Sequence, residues 1–255
     1  SNIGKPYQKI AGKSLIEINI DKARKFRQIK KIILVYNKKD SKQVKSLKLK
    51  NVKLILGGKN RQQSTYNALK YLNNKQNISK VLIHDVARPN FSLKLISLIL
   101  KNMKNSRAVI PKINIQDAVK QKIDSSLNEY ILGKNRDNLF LTQTPQAFNF
   151  KEIYHLHKTN ADKYKDDDIS LYMDLNKVKF IQGEKNNFKI TDLADFQNLK
   201  NIYRSKQSVG IGFDVHRLVP KRKLYLAGLK IKSPLGTLGH SDGDPVLHSI
   251  TDAIL

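Results

Sequence analysis

The chain has no cysteine among its 255 residues. That excludes disulfides, zinc–thiolate centres and a thiol nucleophile, and it fits a reducing, cytoplasmic setting. Acidic residues are scarce, 21 against 48 Lys and Arg, which leaves a net charge of +27. A charge of that size suits nucleic acid. The lysines are scattered over every segment and form no stripe, so the expectation is anionic small substrates and no nucleic acid. No apolar run approaches the roughly 20 residues that cross a bilayer, so no membrane partner is expected. Ser1–Pro6 has no hydrophobic signal core, and the chain opens on Ser1 instead of Met, which reads as a start inside a longer protein.

What is present is an alternation of β-branched runs and helical spacing. Residues 14–28 predict a helix with Leu15, Ile18 and Ala23 on one side. Lys31–Tyr36 and Val52–Leu56 predict strands. Gly57 and Gly58 break the pattern before helical spacing from Arg61 to Asn73. Strand, glycines, helix is an order that lets backbone N–H groups approach phosphate, although Gly-Gly is also a common turn. Val81, Leu82 and Ile83 suit a strand buried on both faces. His84, Asp85 and Arg88 follow at its carboxyl end, where open α/β sheets place ligands. Asp85 suits a metal or a sugar hydroxyl, and Arg88 a phosphate; a solvated strand end with a surface ion pair uses the same letters.

Ser92–Met103 predicts a helix and Ala108–Pro111 a strand. Residues 112–134 have no helical period and predict an extended arm or hairpin of the kind that reaches a neighbouring subunit. Lys151–Asn160 and Ile169–Leu175 predict helices. Asp166, Asp167 and Asp168 head the latter, and the helix dipole accounts for them. Val178–Ile181 predicts a strand, and Thr191 a cap for a helix from Asp192 to about Tyr203. The expected class is α/β, a doubly wound, mostly parallel sheet with an arm over residues 1–203. Residues 204–208 read as a polar linker, and 209–255 as the start of an α+β domain.

In that second part Val209–Arg217 and Leu224–Ile231 predict strands, Gly239–Asp244 a loop, and the residues from Pro245 a helix. Asp214 and His216 are two apart, so a strand points both to one face. His248 lies in the first turns of the helix. Two histidines and one carboxylate form a common catalytic zinc set with an open fourth position; two core histidines would use the same letters. So short a stretch rarely buries its own core, so a partial domain is expected.

At these residues the chain resembles a pair of families. Gly57-Gly-x-x-Arg61-x-x-Ser64, Val81–Pro89, Pro111 with Asp117-x-x-Lys120, Arg136, Thr144-Pro-Gln146 and Asn187-x-Lys189-Ile-Thr191 resemble 2-C-methyl-D-erythritol 4-phosphate cytidylyltransferase. Gly210–Leu218 and His240–Leu255 resemble the start of 2-C-methyl-D-erythritol 2,4-cyclodiphosphate synthase. Together they are similar to the fused bifunctional enzyme of non-mevalonate isoprenoid synthesis. The resemblance implies transfer of CMP from CTP to methylerythritol phosphate, assisted by Mg2+, and a later cyclisation that uses Zn2+ or another divalent metal.

It makes Lys5, Arg136 and Lys189 catalytic. Gly58, Lys59 and Ser64 would surround the nucleotide, and Asp85 and Arg88 would hold metal and phosphate. His240 and Ser241 would contact the diphosphate substrate, while Asp214, His216 and His248 would bind zinc. It implies a homo-oligomer, dimeric through the arm and trimeric through the synthase part. The family's Gly-rich loop precedes the segment that here holds Lys5, and its second domain runs past the first helix. The residues given contain neither, so weak triphosphate binding is expected of them. Ala118 stands where the family has Thr. A cytidylyltransferase for another polyol phosphate and a basic nucleic-acid-binding protein are the alternatives.

Overall fold

Ser14 sets the start of the first long helix in the computed structural model. Its hydroxyl accepts the Glu17 N–H at 3.2 Å, and the Glu17 carboxylate accepts the Ser14 N–H at 2.8 Å. This reciprocal cap satisfies two donors that a helix start otherwise leaves open. Ser14 is fully buried, so Ser14→Ala should lower stability by about 1 kcal/mol in urea unfolding, with an unchanged slope. The helix, α1, spans Leu15–Arg24. It ends short of the expected residue 28 because Phe26 turns inward to pack against the cluster around Phe91, Leu95 and Ile99.

The structure describes residues 4–74, 78–122, 130–131, 135–160, 165–204, 209–239 and 243–254. They form two compact units, Ser1–Asn201 and Ile202–Leu255. Counting strands of three or more residues and helices of ten or more, the first unit contains β1 (Ile32–Tyr36), β2 (Val52–Leu56), α2 (Arg61–Asn73), β3 (Lys80–Ile83), α3 (Leu93–Asn102) and β4 (Ala108–Asn114). Then come β5 (Phe140–Thr142), β6 (Gln146–Asn149), α4 (Phe150–Thr159), β7 (Val178–Gln182) and α5 (Leu193–Arg204), a helix that runs past the boundary at Asn201.

β1 and β2 pair in parallel, Ile32 opposite Val52. The larger sheet runs β7, β4, β6, β3, with β5 also on β4. β7 and β4 are parallel; β6 lies antiparallel between β4 and β3, Gln146 opposite Ile83. The sheet is therefore mixed, with β3, β4 and β7 sharing one direction. Alternation along β4 sends Ala108 and Ile110 to the Leu69, Phe148 and Ile153 side and Val109 to the Leu95 and Ile99 side. Helices thus cover both faces, as a doubly wound α/β unit requires. A cavity of about 960 Å3 lies between β1 and β3, lined by Leu34 and Val35 on one strand and Val81 and Ile83 on the other.

The arm is a hairpin in its described part, with Gln121 opposite Ile131 and Lys122 opposite Tyr130. Two further expectations fail in this unit. The helix after the acidic cluster is one 3-10 turn, Ile169–Leu171; the Asp168 carboxylate makes no cap bond, and Asp167 Oδ1 accepts the Ser170 N–H at 3.1 Å. Asp192 caps α5 by accepting the Asp195 N–H, while Thr191 donates its own N–H and hydroxyl to Asp195.

The second unit has β8 (Leu218–Pro220), β9 (Leu224–Leu226), β10 (Leu229–Ile231), β11 (Leu235–Thr237) and α6 (Pro245–Ile254). The single strand expected over Leu224–Ile231 is a tight hairpin. Ala227 and Gly228 both have positive φ, the backbone of a two-residue turn that matches strand twist. Val209–Arg217 is extended but pairs with no described strand, and the ladder begins at Leu218. Residues 205–208, most of the expected linker, lie outside the described residues.

Candidate functional site

Asp85, just past β3, holds two cations: Arg61 Nε at 3.3 Å and Lys189 Nζ at 3.3 Å. Burial alone would raise its pKa; Arg61 and Lys189 outweigh that and hold the carboxyl below its usual range. Arg88 closes the turn by donating its N–H to the Asp85 carbonyl at 2.9 Å. Its guanidinium donates to the Asn187 carbonyl at 2.9 Å, and its buried Nε has no partner among the described residues. The Ile190 N–H bonds the Ala87 carbonyl at 2.8 Å, which fastens the Asn187–Thr191 stretch to this turn. Sequence-distant Asp85, Arg88 and Lys189 therefore meet at one strand end.

His84 lies behind them. The amide nitrogen of Asn19 donates to the Leu15 and Val86 carbonyls, so its oxygen is left to accept from His84 Nε2 at 2.8 Å. His84 Nδ1 then accepts from the Thr144 hydroxyl at 3.0 Å, and Thr144 Oγ1 accepts the Asp85 N–H at 3.0 Å. Burial pulls the His84 pKa down to about 4, so the ring is neutral.

The paired-glycine turn is less open than its spacing implies. The Gly58 N–H donates to Ser64 Oγ at 3.0 Å and the Lys59 N–H to Gln63 Oε1 at 2.8 Å. Lys5 is exposed at the start of a short 3-10 turn. Its charge is felt at Asp195, whose carboxyl is held low first by the Thr191 hydroxyl. Arg136 is exposed and donates to the Gln116 carbonyl at 2.8 Å, on the arm, with no described contact to Asp85.

In the second unit Asp214, His216 and His248 present ligand atoms within 4.8 Å of one another. Asp214 Oδ2 lies 2.8 Å from His216 Nε2 and 3.0 Å from His248 Nδ1. His216 Nδ1 donates to the Leu238 carbonyl at 2.8 Å, an outer contact that leaves Nε2 facing the carboxylate. That bond, ahead of the Asp214 charge, raises the His216 pKa. Converging lone pairs of two imidazoles and a carboxylate fit a divalent cation. Asp244 caps α6 and also accepts the Gly228 N–H at 2.6 Å. His240 and Ser241 lie outside the described residues.

Sequence reasoning gave Arg61 no role and assigned Asp168 to a helix dipole. In the structure Arg61 joins Asp85 to Asp168, and Asp168 joins buried His157. A helix-internal histidine and an acid in a run of three carried no distinguishing signal.

The model of the 2-C-methyl-D-erythritol 4-phosphate cytidylyltransferase family matches residues 1–205, and that of the YgbB family residues 207–255. The bifunctional enzyme IspD/IspF of Pelagibacter ubique is 48% identical over 255 residues, all of this chain and 66% of that protein. The chain thus spans about two thirds of that relative's length. The crystal structure of 4-diphosphocytidyl-2C-methyl-D-erythritol synthase from Anaerococcus prevotii matches with a TM-score of 0.68 at 32% identity, covering 80% of this chain and 91% of that one. The bifunctional IspDF of Campylobacter jejuni matches with a TM-score of 0.65 at 28% identity, over 100% of this chain and 65% of that one. The chain belongs, over residues 1–205, to the 2-C-methyl-D-erythritol 4-phosphate cytidylyltransferase family, and its order of domains is that of the bifunctional IspD/IspF proteins.

Proposed function

We propose that residues 1–203 transfer a cytidylyl group from CTP to 2-C-methyl-D-erythritol 4-phosphate, and that residues 209–255 begin a 2,4-cyclodiphosphate synthase. The observation that carries the first part is the gathering of Asp85, Arg88 and Lys189 at one strand end, with a buried guanidinium N–H of Arg88 unpaired. An unpaired donor of that kind suits a phosphate oxygen. In the transfer a phosphate oxygen of the polyol attacks the α-phosphorus of CTP, and pyrophosphate leaves. Arg88 and Lys189 hold the polyol phosphate, neutralise its charge and keep the reacting groups in line. Lys5 and the Gly58–Ser64 turn serve the nucleotide. Arg136 serves the site in a dimer through the arm.

One carboxylate shared by two cations suits a Mg2+ that arrives on nucleotide phosphates, because Mg2+ takes few protein ligands. In the second unit Asp214, His216 and His248 would hold Zn2+ or a similar ion, which supplies Lewis-acid polarisation of a phosphate. His240 and Ser241 would bind the diphosphate.

The test is pyrophosphate release from CTP, Mg2+ and methylerythritol phosphate, with ribitol phosphate as the control. Any release is expected with methylerythritol phosphate and not with ribitol phosphate, slow in this chain because triphosphate binding is weak, and Lys189→Ala should lower kcat/KM by about 100-fold. If this chain is silent, a polypeptide extended to the length of its relatives is assayed. Silence there too, or preference for ribitol phosphate, removes the reading.

A further inference from the structure

Arg61 lies between two carboxylates. Its Nε faces Asp85 Oδ1 at 3.3 Å, and its terminal nitrogen donates to Asp168 Oδ2 at 2.7 Å. The shorter contact is the one away from the candidate site. Asp168 is 1% exposed, and its other oxygen receives His157 Nε2 at 2.9 Å. The His157 side chain is fully buried, and its Nδ1 has no partner among the described residues. An N–H at that nitrogen would be an unsatisfied buried donor, so the proton belongs on Nε2 and the ring is a neutral donor to Asp168. Charges then balance: Asp85 and Asp168 against Arg61 and Lys189.

A guanidinium next to a single carboxylate closes on it with two parallel bonds. Here Asp168 draws one arm of the fork away. We propose that Asp168, held by His157, is a positioning residue: by dividing Arg61 between two carboxylates it keeps Asp85 from closing into a two-toothed ion pair, so that Asp85 Oδ2, whose described contact is Lys189 Nζ at 3.3 Å, keeps a lone pair able to accept from the nucleotide. His157 acts two steps removed, by fixing which way Asp168 faces. The proposal rests on the cytidylyl-transfer reading for its ligand, and on the contacts alone for its geometry.

The reading singles out nucleotide binding, since Arg88 and Lys189 hold the polyol phosphate. Asp168→Asn keeps the shape and removes the pull on Arg61. It should raise KM for CTP about tenfold while kcat stays within about threefold. His157→Leu should do the same. His157→Gln, whose amide N–H replaces Nε2–H, should restore the parent value. A purely structural role would lower the active fraction, seen in kcat, and leave KM alone.

The Arg61 Nε–H resonance is read in parallel on protein without substrate. It should shift in Asp168→Asn and His157→Leu and stay put in His157→Gln. An active Asp168→Asn protein with unchanged KM for CTP overturns the proposal. If neither the parent nor a polypeptide extended to the length of its relatives releases pyrophosphate, the functional reading fails; the resonance then decides the relay, and no shift in Asp168→Asn overturns it.

Discussion

At the Zn2+ site proposed for Asp214, His216 and His248, Gly212→Ala is expected to weaken binding by on the order of 100-fold, the scale on which losing an oriented ligand acts. Between Val209 and His216 the even positions hold Gly210, Gly212, Asp214 and His216. The odd ones are exposed, Val209 at 89%, Ile211 at 92% and Phe213 at 80%. The even positions face α6. A Cβ on Gly212 would overlap the Ser249 carbonyl oxygen, and one on Gly210 the Ala253 carbonyl oxygen. Neither obstacle is a flexible side-chain tip; both are helix backbone. The two glycines therefore let the extended segment lie against α6, and that approach brings His248 Nδ1 to 3.0 Å from Asp214. An added methyl pushes the helix off and takes one of three ligands with it. Calorimetric titration with Zn2+ at pH 7.5 measures this, with Ile211→Ala as a control that should bind like the parent. Unchanged affinity in Gly212→Ala would mean the helix yields without moving His248.

That spacing shows what was legible in the sequence. A carboxylate and an imidazole two residues apart on extended chain share a face, and the reading held although Val209–Arg217 joins no ladder among the described residues. Strand and helix stretches with strong periodicity, Ile32–Tyr36 and Arg61–Asn73 among them, were placed to within a residue or so. Some failures come from side chains claimed by partners that the local pattern does not show. Asp168 reads as one of three acids answering a helix dipole, but Arg61, 107 residues away, claims it. Thr191 reads as a cap, yet it donates to Asp195 and Asp192 takes the capping position. The Asp85 neighbourhood was legible as residue types at a strand end. Its inner supports, Asn19, His84 and Thr144, were not, because a polar residue that is buried leaves the same letter as one that is exposed.

Those inner supports carry the second large effect: the first unit should lose up to roughly 3 kcal/mol of stability between pH 6.5 and pH 4 through His84 alone. Burial is the main cause of its depressed pKa; Arg88 and Lys22 add to it, and Asp85 and the Arg88 carbonyl oppose it. The folded ring titrates near 4, whereas an unfolded histidine titrates near 6.5. In between, the unfolded chain binds a proton that the folded one refuses, so stability falls as pH falls. Above pH 6.5 neither form is protonated and the full contribution is present. The depressed carboxyls, Asp85 among them, act in the same direction but lower, below about pH 4, so the two windows separate. Urea unfolding followed by circular dichroism from pH 7.5 to 4.5 should show the decline in the parent. His84→Gln, which cannot titrate, should start less stable at pH 7.5, because it breaks the Asn19–His84–Thr144 chain, and should then lose much less between pH 6.5 and 4.5. Equal slopes in the two proteins would mean that His84 takes up its proton without leaving its place, with the Thr144 hydroxyl turning to accept from Nδ1. The neutral ring would then not be what holds the Asp85 turn.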